Sequence, residues 1–135
     1  DLSSFNTSKV NDMVQMFYGS KVTSLDLSNF DTVNVTDMKY MFYGIELTSL
    51  DLSNFDTSSV TDMRSMFSNS KNLKTIYASD RFVTDNVTNS SQMFRDCDSL
   101  VGGSGTKYNI LNVDKTYARV DGGTSSPGYF TLKSS

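Results

Sequence analysis

The 135-residue chain has no histidine and no tryptophan, one cysteine (Cys97), one proline (Pro127) and one glutamate (Glu46). Without histidine, neither a Ser-His nor a Cys-His nucleophile pair can be assembled, and no enzyme is expected. A lone cysteine leaves no disulfide framework. The net charge is -3 and no basic run is present, which excludes a nucleic-acid footprint. No apolar stretch approaches the ~18 residues of a membrane span, so no membrane insertion is expected of this fragment. No signal peptide is visible, and the chain opens in mid-repeat at Asp1. The expectation is an excised piece of a longer protein, with any anchor outside it.

What the chain has in abundance is repetition. "DLSSFNTSKVNDMVQMF", "DLSNFDTVNVTDMKYMF" and "DLSNFDTSSVTDMRSMF" start at residues 1, 26 and 51. Val10, Val35, Val60 and Val87 mark four units, as do the pairs Met16-Phe17, Met41-Phe42, Met66-Phe67 and Met93-Phe94. A fixed period of this length signals a stacked repeat architecture.

Each unit has two halves. In "VTSLDLSNF" (22–30) and "LTSLDLSNF" (47–55), Leu25 and Leu27, then Leu50 and Leu52, alternate with polar residues. Period two predicts a strand with one buried face. Val35, Met38, Met41 and Phe42 then stand at i, i+3, i+6 and i+7, which predicts a short helix. Asn34 with Asp37 and Ser59 with Asp62 supply N-cap and N3 signals, with Thr7, Thr32, Thr57 and Thr84 as alternative caps; Gly19 and Gly44 supply stops. The phenylalanines at 5, 30, 55 and 82 are expected to stack as a spine.

The expected architecture is α/β: a leucine-rich-repeat-type solenoid with a parallel sheet on one side and short helices on the other. Residues 1–103 form four stacked units. Residues 104–135 break the pattern. "KYNILNV" (107–113), "TYARV" (116–120) and "YFTL" (129–132) lie between Gly and Pro turns and predict strands and hairpins. They are read as a β-rich C-terminal cap over the apolar end of the stack.

"LTSLDLSNFDTSSVTDMRSMF" (47–67) and the tail "YARVDGGTSSPGYFT" resemble the BspA-like leucine-rich-repeat surface proteins of bacteria, a family with a 25–26-residue repeat. The resemblance covers residues 1 to about 132. It implies a bacterial cell-surface, extracellular location and adhesion to a host or matrix protein or a glycan. It carries over no catalytic motif and names no ligand. The alternative is a structural spacer that displays another binding domain. A monomer is expected.

Among the residues themselves, Asp1, Asp26 and Asp51 form a row on the strand face opposite the leucines, and Tyr77 interrupts it. Asp is a poor strand residue and stacked like charges repel, so the row calls for a reason. The candidate ligand-binding residues are Asp26, Asp51, Tyr77, Ser24, Ser28, Ser49 and Ser53. No cofactor is expected; Ca²⁺ is the one ion weighed for this acidic strip. Its competing role is a solvated face that blocks sideways strand pairing. Asp12, Asp37 and Asp62 form a second row, read as helix caps. Cys97 is read as a buried, inert thiol. The Met-Phe face is read as core, flanked by Tyr18, Tyr40 and Tyr43 as a second contact patch. Four Asn-x-Ser/Thr sequons occur, at Asn6, Asn34, Asn86 and Asn89.

Overall fold

The structure, a computed structural model, describes residues 11–133; Asp1, Phe5, Asn6, Thr7 and Val10 lie outside the described residues. Alternation in "LTSLDLSNF" (47–55) produces strand β1 (Ser49–Leu52), which buries Leu50 and Leu52 and turns Asp51 outward. The next unit supplies β2 (Thr75–Ala78), with Ile76 and Ala78 inward. A third strand, β3 (Phe130–Leu132), comes from the tail. The three form a parallel sheet in the order β1-β2-β3, with Asp51, Tyr77 and Thr131 in register on the outward face. Residues 22–30 carry the same alternation yet form no strand. Their exit is tied to the following unit by a side chain instead: the Asn54 amide donates to the carbonyls of Leu27 (2.9 Å) and Phe30 (2.7 Å).

The second half of each unit is not a helix. The described residues contain no α-helix, only two 3₁₀ helices in the tail (Lys115–Tyr117 and Gly123–Ser125). Met38, Tyr40, Phe42 and Gly44 donate their N–H groups to Asp62, Arg64, Met66 and Ser68 of the following unit (2.8–3.0 Å). Met13, Gln15, Phe17 and Gly19 do the same toward unit two, and Met63, Ser65, Phe67 and Asn69 toward unit four. Parallel bridges run through Asp12, Asp37, Asp62 and Asn89. Within a unit, turns close from Met41 N–H to the Met38 carbonyl and from Ser70 N–H to the Phe67 carbonyl.

Spacing explains the failure of the helix. Parallel pairing sets neighbouring backbones ~4.8 Å apart, whereas packed helices need 8–10 Å. Units bridged at strand distance through their second halves leave no room for helices side by side. The inward set is unchanged: Val35, Met38, Met41 and Phe42 are all fully buried. The turns require left-handed backbone at Gln15, Tyr40, Ser65 and Gln92, and again at Gly19, Gly44, Asn69 and Asp96.

The expected caps therefore have other work. Asp37 and Asp62 do not cap helices; each accepts the N–H two residues on, at Lys39 and Arg64, as Asp12 does from Val14. Asp and Asn side chains fold the backbone in this way at turns. The buried hydroxyl of Thr57 donates to the Val83 carbonyl (2.6 Å) and accepts the Val83 N–H (2.7 Å), clasping the next unit. Thr32 repeats the clasp on Asp56 (2.9 Å each way).

The spine is also displaced from the expected positions. Phe17, Phe42, Phe67 and Phe94 stack face to face at 5.4–5.8 Å with interplanar angles of 4–7°. Phe30 and Phe55 are buried but tilt against this column. The tail differs from hairpins as well. Residues 107–113 and 116–120 form no strand, and the one tail strand, β3, pairs parallel to β2. Val113 accepts the Phe94 N–H (2.9 Å), and the Lys115 N–H donates to the Ser90 hydroxyl (3.1 Å).

Candidate ligand-contact surfaces

The predicted sheet-side residues fall into two groups. Asp26, Ser28, Asp51 and Ser53 line one slot of about 630 Å³ together with Leu25, Leu27, Asn54 and Lys133. Ser24, Ser49 and Tyr77 are not in its lining. The aspartates are turn residues here too. Asp26 accepts the N–H (3.0 Å) and hydroxyl (2.6 Å) of Ser28, and Asp51 accepts the Ser53 N–H (2.9 Å).

Lys133, from the far end of the chain, bonds Asp51 at 2.6 Å and sits 5.5 Å from the centre of the Tyr77 ring. So the acidic row is not unrelieved: Asp51 is paired, and the next position, Tyr77, is an aromatic under a cation. The Ser28 hydroxyl, then its N–H, holds the Asp26 carboxyl below the usual range. Burial pushes Asp51 up, but hydrogen bonds from Lys133 and Ser53 outweigh it and leave the carboxyl low. Among the described residues no three Asp, Glu, Cys or His side chains gather closely enough to hold a metal ion.

The turn face is different in character. Tyr18 and Tyr43 stack in parallel at 4.7 Å, and Tyr40 leans on both at 5.9–6.4 Å. Tyr18 is 52% exposed. Beside the trio runs a groove of about 350 Å³ lined by Tyr40, Tyr43, Ser65, Ser68, Asn69, Gln92, Arg95 and Asp96. Cations on this face sit next to their own acids: Lys39 with Asp37 (3.4 Å), Arg64 with Asp62 (3.0 Å) and Arg95 with Asp96 (3.8 Å).

The repeated units just described are what a family model recognises. The match spans residues 1–103, to a family described as "Mycoplasma protein of unknown function, DUF285". The chain belongs to the DUF285 family. No curated protein and no solved structure shows a significant match to it.

Two groups in this DUF285 chain serve the fold. Cys97 is fully buried, and its thiol donates to the Phe67 carbonyl (3.0 Å). The Ser70 hydroxyl makes the same bond to Phe42 (2.9 Å) one unit earlier. Burial pushes the Cys97 thiol up to about 12, opposite to what an attacking thiolate needs.

Beyond the DUF285 match, Asp121 organises the tail. Its buried carboxylate accepts the N–H groups of Ser104 (2.9 Å), Thr106 (3.0 Å) and Gly123 (3.0 Å) and the Thr106 hydroxyl (2.7 Å). Burial pushes Asp121 up, yet these donors overcome it and bring its carboxyl down to about 2. Glycine is required alongside: a side chain at Gly102 would meet Asp121 Oδ2 at 2.5 Å and the Gly128 carbonyl at 2.2 Å. The glycine turn that follows residues 116–120 is legible in the sequence; the convergence of Asp121 with residues 104–106 is not.

Proposed function

We propose that this chain is a non-catalytic binding module of a bacterial cell-surface adhesin. In this reading it is a BspA-like leucine-rich-repeat solenoid whose C-terminal tail closes the stack. It contacts a host or matrix protein, or a glycan, through its repeat surface. The observation that carries the proposal is the trio Tyr18, Tyr40 and Tyr43, exposed at Tyr18 and half-buried at the other two, beside a polar groove. Tyrosine combines a rigid apolar ring with a polar tip, and it is enriched where proteins make contact. The slot around Asp26 and Asp51 is the second contact surface, with Lys133 part of what a ligand would meet there.

A spacer role has its own support. The same set of inter-unit N–H donors recurs at each junction, as suits a stalk of adjustable length. Probing the fragment against an array of matrix proteins and glycans separates the two. Saturable binding of at least one class is expected. Silence across the array overturns the binding reading and leaves the spacer.

A further inference from the structure

Left-handed backbone favours glycine, and among residues with a side chain asparagine and aspartate tolerate it best. Six described non-glycine residues adopt it: Gln15, Tyr40, Ser65, Asn69, Gln92 and Asp96. All but Gln15 line the groove on the turn face. The second left-handed position of each unit is informative. Units one and two place glycine there, Gly19 and Gly44. Units three and four, where the groove lies, place Asn69 and Asp96. The turn does not need those side chains, since glycine makes the same turn in the earlier units. Their side chains, with those of Ser65 and Gln92, gather on one concave surface.

The lining defines the ligand. Ser65, Ser68, Asn69, Gln92, Arg95 and Asp96 present hydroxyl, amide, guanidinium and carboxylate groups, hydrogen-bond donors and acceptors together. Tyr40 and Tyr43 form one wall as flat apolar rings, extended by the stacked Tyr18. The one cation in the lining, Arg95, is beside Asp96 (3.8 Å), so the charges of the lining balance and do not favour an anionic ligand. Rings beside paired donors and acceptors suit a molecule with an apolar C–H face and a rim of vicinal hydroxyls.

We infer that this groove is a binding site for a neutral pyranose oligosaccharide, which stacks on the tyrosine wall and is hydrogen-bonded by Asn69, Gln92, Arg95 and Asp96. The inference deepens the binding-module reading and rests on it.

The test is a titration of the ¹⁵N-labelled chain with neutral disaccharides (lactose, N-acetyllactosamine, cellobiose, chitobiose), with heparin-derived and sialylated oligosaccharides and a set of matrix proteins run alongside. The chain has no tryptophan, so its tyrosine emission gives a parallel readout. At least one neutral disaccharide is expected to shift resonances of residues 40, 43, 69, 92, 95 and 96. The triple variant Asn69→Gly, Gln92→Gly, Asp96→Gly removes groove side chains at positions whose backbone suits glycine. It is expected to keep its melting temperature and to lose affinity at least tenfold. Asn69→Gly alone, with a smaller loss expected, replaces it if the triple variant fails to fold. Shifts that map elsewhere, or variants that bind as tightly as the parent, overturn the site. Binding of charged glycans alone overturns the ligand class. Binding of a matrix protein with no response to any sugar overturns the glycan assignment while the binding module stands. No response to any probe overturns both.

Discussion

The ring of Tyr129 meets the ring of Phe94 edge to face, 5.1 Å away and at 77°. It ends the column that runs through Phe17, Phe42, Phe67 and Phe94, where another parallel ring would otherwise be needed. Its hydroxyl donates to the Asn112 carbonyl (2.7 Å) and accepts the Asn109 N–H (3.1 Å), which fixes residues 109–112 across the end. Tyr129→Ala is expected to cost about 3–5 kcal/mol, as for other fully buried aromatics. Tyr129→Phe keeps the ring and is expected to cost about 1–2 kcal/mol. Urea unfolding measures both; equal costs for the two would mean that the ring does not seal the column.

Asp121 sets an acid limit. Its folded carboxyl lies near 2, below the 3.8 of an unperturbed Asp. A depressed folded pKa stabilises the fold above the unfolded value, and the contribution fades as pH drops through the folded one. The wild type should therefore lose this contribution between about pH 4 and pH 2. Asp121→Asn should be less stable at pH 7, with the gap to wild type narrowing across that window. Urea midpoints at unit steps from pH 6 to pH 2 give the comparison. A gap that stays constant would show that the charge is not what the four donors hold.

Gln15 and Gly44 distinguish turns from helices. Both have left-handed backbone, φ +58° and +66°. Gly44→Ala is expected to cost about 1–2 kcal/mol from strain alone, because the nearest atom to the added carbon is 3.9 Å away. Gln15→Gly relieves strain and adds freedom to the unfolded chain, so a change within about 0.5 kcal/mol is expected. In the interior of a helix the same substitution would cost about 1 kcal/mol. Thermal denaturation of the two variants decides.

The Thr57 clasp predicts a sharp preference among near-isosteres. Thr57→Val keeps the shape and strips both hydrogen bonds to Val83, at an expected cost of about 2–4 kcal/mol. Thr57→Ser keeps the hydroxyl and should cost about 1 kcal/mol for the missing methyl. The reverse order would indicate that the methyl, not the hydroxyl, joins the units.

Much of the interior was legible in the sequence. The repeat named the inward residues of both halves, and Val35, Met38, Met41, Phe42, Leu50 and Leu52 are all buried. The conformation of the second half was not legible from its pattern. Spacing of i, i+3, i+6 and i+7 also suits a run of turns whose alternate N–H groups leave the unit, and only the distance to the neighbouring unit separates the two. Asp26 and Asp51 each bond a serine two residues on, Ser28 and Ser53, a turn signal that the strand alternation masks. Lys133 stands 82 residues from Asp51, and no short-range pattern links them. Tyr18, Tyr40 and Tyr43 were recognised as a patch. The groove beside them is not legible in the sequence, because its lining comes from three units.

The repeated N–H donors of the turn halves have an evolutionary reading. Every internal junction presents the same bonding edge to the next unit, so a duplicated or deleted unit would find a compatible neighbour on either side. Among the described junctions, the one after Phe94, with Val113 on its N–H and Tyr129 against its ring, is built differently. Recombination between near-identical gene segments could lengthen or shorten such a protein in single steps of one unit, leaving its terminal seal intact and placing each new surface residue on the same outward face.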